Sequence, residues 1–195
     1  MLKSVTTSDT SFSDYRKLTY MLIIATIPIV VAGLGFSDFI EDRIFNVSSI
    51  AITNLIFAII LFVVFLSRKE NLSIFEITFQ AAILIGFFQC FALIPGASRS
   101  GMAITGALLI GLNLKDASKF TFLLSIPTIA GALIFLLIDF NQINFDYLNM
   151  LIGFVVSMIV AFFTIKYFLA FVERIGMVPF VMYRVILGLM LLIIF

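Results

Sequence analysis

Charge is scarce in this chain. Asp, Glu, Lys and Arg make up 12% of its 195 residues, hydrophobic residues make up 63%, and the mean hydropathy is +1.23. Ordinary globular domains are about 25% charged, so a soluble core of this size cannot hide so much apolar surface. The composition predicts an all-α integral membrane protein. The net charge of +1 says nothing about nucleic acid, and no long basic run suggests it, so no nucleic-acid partner is expected. Cys90 is the only cysteine, which excludes an intrachain disulfide and a cysteine-based metal cluster. Histidine is absent altogether. Residues 1–17 are polar and carry Asp9, Asp14, Arg16 and Lys17. That is neither the charged start nor the small-residue cleavage site of a signal peptide, so the first hydrophobic segment is expected to stay as an anchor.

Long apolar runs are what the chain does have. A hydrocarbon core of about 30 Å needs about 20 apolar residues in helical form. Stretches at 18–36, 47–66, 117–138, 147–167 and 179–195 meet this, the last slightly short. Residues 74–112 are harder to place. Their first limb, Ile74 to Ile94, could span alone but contains Glu76, Gln80 and Gln89. The second limb, Gly101 to Leu112, covers only about 18 Å as helix, half a membrane.

The distribution of Lys and Arg decides between a crossing and a hairpin. If 74–112 enters and leaves on one face, Lys3, Arg16, Lys17, Arg68, Lys69, Lys115, Lys119, Lys166 and Arg174 share a side, against Arg43 alone on the other. That side is the cytoplasm. A full crossing abolishes the bias. The expectation is therefore a polytopic helical bundle with a re-entrant helix-loop-helix over 74–112, the N-terminus of this chain cytoplasmic and the C-terminus outside. Tyr15, Tyr20, Tyr147, Tyr167 and Tyr183 fall near predicted helix ends, where amphipathic rings favour the interface.

Ile94 to Gly101 (Ile-Pro-Gly-Ala-Ser-Arg-Ser-Gly) brings a guanidinium, two hydroxyls and two glycines together inside this hydrocarbon-rich sequence. An ionisable residue between apolar flanks is costly in a bilayer, which makes function the default reading. Pro95 stops the first limb, Gly96 permits a sharp turn, and Ser98 or Ser100 can cap the second limb. The N–H groups at Gly101 to Ala103 would then face the loop with the positive end of the helix dipole, and Arg99 adds a fork suited to phosphate. A structural reading competes with this. Gly101, Ala103, Thr105, Gly106, Ala107 and Gly111 suit close helix packing, and Arg99 could pair with Glu76 or with backbone carbonyls. Gln89 suits a ligand contact or a bond across helices equally well. Arg184, near the start of the last span, reads as a cation snorkelling to the interface. Cys90 and the 24 phenylalanines read as packing and lipid-facing bulk.

Gly86-Phe-Phe-Gln89-Cys90-Phe-Ala-Leu-Ile-Pro95-Gly96-Ala-Ser98-Arg99-Ser100-Gly101 closely resembles the second signature loop of the undecaprenyl-diphosphate phosphatase family, also called bacitracin resistance proteins. Ala25-Thr-Ile-Pro28-Ile-Val-Val-Ala-Gly33, Phe120-Thr-Phe-Leu-Leu-Ser125-Ile-Pro127 and Val178-Pro179-Phe-Val-Met-Tyr183-Arg184 resemble it in the same order. The resemblance covers most of the chain. It implies two inverted repeats, each a re-entrant pair followed by three spans. Residues 1–195 would form a single membrane domain, with 18–66 the last two spans of the first repeat and 74–195 the second repeat. The first re-entrant pair, with its Glu-rich and Ser-Ser-Thr-Gly-His motifs, has no counterpart here, and Ala103 stands where many members have Thr.

The resemblance implies a bacterial plasma-membrane enzyme that hydrolyses a polyprenyl diphosphate to polyprenyl phosphate and phosphate, recycling the lipid carrier of cell-wall synthesis and conferring bacitracin resistance. Arg99 would be catalytic, with Gly96, Ser98, Ser100, Gly101 and Gln89 binding substrate. A divalent cation, Mg or Ca, is expected from the family, but its ligands are not identifiable in this chain. The expectation is a member incomplete at its N-terminus, since Met1 begins in a polar loop before a span, and a poor catalyst alone. The alternatives are a non-catalytic polyprenyl-phosphate binder or transporter, which re-entrant loops and inverted repeats also suit, and an inactive remnant that folds only with a partner. A homo-oligomer is left open.

Overall fold

The computed structural model describes the backbone of residues 3–35, 46–139 and 147–195, and every described regular element but one isolated bridge is helical. The helices are α1 (Lys3–Gly35), α2 (Val47–Ser67), α3 (Phe79–Cys90), α4 (Arg99–Leu109), α5 (Leu114–Asp139), α6 (Tyr147–Ile175) and α7 (Val178–Ile194). Short 3-10 turns at Ile74–Glu76 and Phe91–Leu93 bracket α3. Four helices carry windows long and apolar enough to cross a membrane, within α1, α2, α5 and α6, while α7 is a shorter apolar helix. The chain is a polytopic helical membrane protein.

Several boundaries differ from the sequence reading. The polar residues from Lys3 onward continue α1 instead of forming a loop, because nothing between Lys3 and Lys17 is Pro or Gly. Tyr15 and Tyr20 therefore lie inside α1. The sixth helix runs on to Ile175, so Tyr167 is interior to it and not at its end. The first limb cannot span. Ser73 and Glu76 form a capping box, Thr78 then caps α3 by accepting from the Ala81 amide, and only 12 helical residues remain, about 18 Å.

The hairpin α3–α4 is clasped at its mouth. The Leu72 amide donates to the Gly111 carbonyl at 2.9 Å, and the Asn113 amide donates to the Leu72 carbonyl at 3.3 Å. Asp116 Oδ2 accepts from the Ile74 amide and from Asn113 Nδ2, each at 3.1 Å, while Asn113 Oδ1 caps α5. Lys17 Nζ reaches the Phe75 carbonyl at 3.0 Å, and Lys115 pairs with Glu173. The start of the apolar run of α1, both ends of the hairpin and the end of α6 thus meet at one end of the bundle, which also holds Arg68 and Lys119.

The core forms around α4. Helices α2, α3 and α5 all pack on it, while α1 lies along α3 and α5, and α7 lies on α2. Every residue from Gly101 to Leu108 is buried. Close approach rests on glycine. A Cβ on Gly86 would stand 2.2 Å from the Ala25 carbonyl oxygen, and one on Gly188 would stand 2.7 Å from Leu55 Cγ. Phe120, Leu124, Leu61 and Ile85 fill the interior between these crossings.

Candidate anion-binding loop

The loop is a turn followed by a capped helix. Ile94, ahead of Pro95, is extended at φ −82° and ψ 120°, as a residue before proline prefers. The Ala97 amide donates to the Ile94 carbonyl at 3.0 Å, with Gly96 at φ +92° in the third position. This is the pattern of a type II turn, which calls for glycine there. Glycine is required twice over, because a Cβ on Gly96 would lie 2.3 Å from the Ile50 carbonyl oxygen of α2.

Ser98 is the N-cap of α4, accepting from the Gly101 amide at 3.2 Å, and its hydroxyl lies 3.3 Å from that of Ser100. The Met102 amide bonds to the Ser98 carbonyl at 2.9 Å. The amides free of any partner among the described residues are therefore those of Arg99 and Ser100, not Gly101 to Ala103. The cap itself consumes the donors that the sequence suggested would be open. Arg99 is exposed, with no hydrogen bond or ion pair among the described residues. It does not pair with Glu76, whose Oε2 accepts from the Ser73 amide at 2.7 Å at the far end of the limb.

Arg184 is the residue that sequence reasoning placed wrongly. It does not snorkel; it is 3% exposed. Its Nε donates to Asn54 Oδ1 at 2.8 Å, and Nη2 donates to the Asn54 carbonyl at 3.3 Å and to the Gly96 carbonyl at 3.0 Å. Asn54 Nδ2 returns a bond to the Arg184 carbonyl at 2.7 Å. The guanidinium thus ties α2 and α7 to the turn at Gly96. Gly188, one turn further on, lets the two helices close enough for this. The legible signal was the pairing of one Asn in the span 47–66 with one Arg inside the last, since polar residues at membrane depth find each other.

Gln89 is 1% exposed and bonds across helices, its Nε2 donating to Thr128 Oγ1 at 2.9 Å. Thr105 is fully buried and returns its hydroxyl to the Gly101 carbonyl at 2.7 Å, so it offers nothing in place of the family threonine. Cys90 Sγ bonds to the Gly86 carbonyl, in keeping with packing.

The turn gathers an unpaired arginine, two hydroxyls and open helix-start amides, which are the kinds of donor an oxyanion needs. The sequence profile of the family described as Bacitracin resistance protein BacA matches residues 1–190. The chain belongs to this family. An undecaprenyl-diphosphatase of Alcanivorax borkumensis is 43% identical to it over 182 residues, which is 92% of this chain and 69% of the relative. As in the resemblance noted above, the BacA-like segment Ala25–Pro28 and the BacA-like loop meet physically, through Gly86 against Ala25. A divalent cation does not fit the residues described here. No three of His, Cys, Asp or Glu cluster among them, and the loop offers a guanidinium where a cation would need carboxylates.

Proposed function

We propose that this chain is an undecaprenyl-diphosphatase whose Pro95–Gly101 loop binds the diphosphate of the lipid substrate. The observation that carries this reading is Arg99, exposed and unpaired at the first turn of a buried helix whose Arg99 and Ser100 amides are open. In the reaction a water oxygen attacks the terminal phosphorus, the bond to the bridging oxygen breaks, and polyprenyl phosphate leaves with phosphate as the other product. Catalysis of this kind is mostly positioning and stabilisation of charge on the equatorial oxygens. Arg99 grips two of those oxygens as a fork, the two amides donate to a third, and the Ser100 hydroxyl adds a donor. Gly96 and Gly101 keep backbone and anion close, Ser98 fixes the helix start, and Gln89 braces α3 against α5 behind the loop. No described base stands beside either serine, so these residues supply binding and charge stabilisation and not activation of the water. Any divalent ion takes its ligands from outside them.

The loop lies within the membrane, with the hairpin mouth on the cytoplasmic side. This orientation is supported by the gathering of Lys17, Arg68, Lys115 and Lys119 at that end. Hairpin, α5, α6 and α7 form one repeat, and α1 with α2 belongs to the other. In a Cys90→Ala background, Asn71→Cys should resist an impermeant thiol reagent applied from outside; labelling there would overturn the orientation. The corresponding outside position, Asn144, lies beyond the described residues.

The test of the site uses purified chain in detergent, with two readouts: phosphate release from undecaprenyl diphosphate and affinity for inorganic pyrophosphate. Arg99→Ala should weaken pyrophosphate affinity about tenfold or more at unchanged thermal stability. Because this chain is expected to be a poor catalyst alone, the loss of release, about a hundredfold or more, is read in a longer family member carrying the same loop. Arg99→Lys should also lose most activity, because a point ammonium cannot reproduce the bidentate fork. Near-normal release and affinity in Arg99→Ala would remove the loop from the reaction. A binder or transporter would instead show normal pyrophosphate affinity without phosphate release by any longer family member carrying the same loop.

A further inference from the structure

Arg184 carries a charge that its protein partners do not neutralise. All three of its side-chain hydrogen bonds go to neutral oxygens, those of Asn54 and Gly96, and no described carboxylate forms an ion pair with it. A buried cation among neutral groups retains most of its desolvation cost until an anion arrives. Its Nη1 is buried without any hydrogen-bond partner. That nitrogen lies 3.1 Å from the point where a Cβ on Gly101 would stand, and Ser98 Oγ lies 3.3 Å from the same point. The unpartnered donor is therefore aimed at the start of α4, at the side-chain-free face of Gly101.

We propose that Arg184 is a second anion-binding residue of the loop, donating from Nη1 to a phosphate oxygen of the substrate while Nη2 holds the Gly96 carbonyl. This rests on the loop being a phosphate site. Arg99 approaches the diphosphate from the exposed side of the helix start and Arg184 from the buried side. The glycine at 101 then has a function besides packing, since any side chain there would stand between Nη1 and its anion. Two cations suit a diphosphate better than a monophosphate, so Arg184 should discriminate between pyrophosphate and orthophosphate.

The experiment measures calorimetric affinity of the detergent-solubilised chain for inorganic pyrophosphate and orthophosphate, with thermal unfolding as a folding control. Arg184→Gln keeps a donor for Asn54 Oδ1 at the place of Nε but removes the charge and both Nη groups. It should weaken pyrophosphate about tenfold or more and orthophosphate less. Gly101→Ala sets a methyl 3.1 Å from Nη1, which covers that nitrogen and asks the guanidinium to give by a few tenths of an ångström, so it should weaken pyrophosphate to a similar extent while remaining folded. If Arg184→Gln fails to fold, Gly101→Ala decides. Unchanged pyrophosphate affinity in folded Gly101→Ala, while Arg99→Ala loses it, overturns the role of Arg184 and spares the loop. No pyrophosphate binding by the unsubstituted chain overturns the loop reading itself, and the present inference with it.

Discussion

Helices α4 and α6 are both apolar, yet α4 is buried from Gly101 through Leu108, and not one residue of the spanning window in α6 is buried. Hydrophobicity does not separate them, because lipid is as apolar as leucine. Size does. From Gly101 to Leu108 the short helix is made of Gly, Ala, Thr, Ile, Leu and one Met, with no aromatic residue, and three neighbouring helices pack on it. The long one carries Phe154, Phe162, Phe163, Phe168 and Phe171 and touches the rest mainly near its end, through Phe168 against Phe122 and Phe180. Within a bilayer, van der Waals fit and internal hydrogen bonds select the centre of the bundle, and bulk selects its rim.

Matched glycine substitutions break this comparison most directly. Gly86→Ala drives a methyl into the Ala25 carbonyl, backbone against backbone, and should destabilise the fold by about 3 kcal/mol or more, read from unfolding in mixed micelles. A small effect would mean that α1 and α3 are not closely packed. A weaker loss follows at the edge of the same core. Thr128→Val strands the Gln89 amide and should cost about 0.6–1.7 kcal/mol, the range for hydrogen bonds between membrane helices.

Smaller still is the pH response at the hairpin mouth. The Ser73 amide and then its hydroxyl hold the Glu76 carboxyl below its ordinary value of 4.5, against the opposing effect of desolvation and with a smaller contribution from Lys17. A carboxyl lowered by folding stabilises the folded state above its unfolded value and loses that contribution as pH falls through the lowered one. The unfolding midpoint should therefore slip below pH 4.5 in the unsubstituted chain, and less so in Glu76→Gln. An identical slope in both would remove the capping box from the account. The smallest effect belongs to α6, where Gly153→Ala meets nothing within 4 Å and should change stability by less than about 1 kcal/mol, in the stabilising direction. A large destabilisation there would mean that this face is covered by protein.

The legible parts of the molecule were those set by local chemistry. Pro95 and Gly96 announce a turn, Ser98 announces a cap, and the shortness of 101–112 announces a hairpin. Each signal lies within a few residues of its consequence. What stayed hidden was long-range: the bond from Arg184 to Gly96 joins residues 88 apart, and the Asn54–Arg184 pair joins residues 130 apart. A lone arginine near a helix end looks the same in sequence whether it reaches for water or for a carbonyl on another helix. The open amides were misplaced by two residues for a different reason. Capping both creates the helix start and occupies its donors, and sequence shows the first effect more readily than the second.

That same 88-residue bond sets an order of assembly. At about 5–20 residues per second, a ribosome that has just made Gly96 needs roughly 4–18 s more to make Arg184. During that interval the hairpin can already be clasped between Leu72 and the Gly111–Asn113 segment, but the carbonyl at its tip has no guanidinium to hold it. The nascent loop is a shaped but unlocked turn, and the helix that locks it leaves the ribosome only after the hairpin, α5 and α6 have done so.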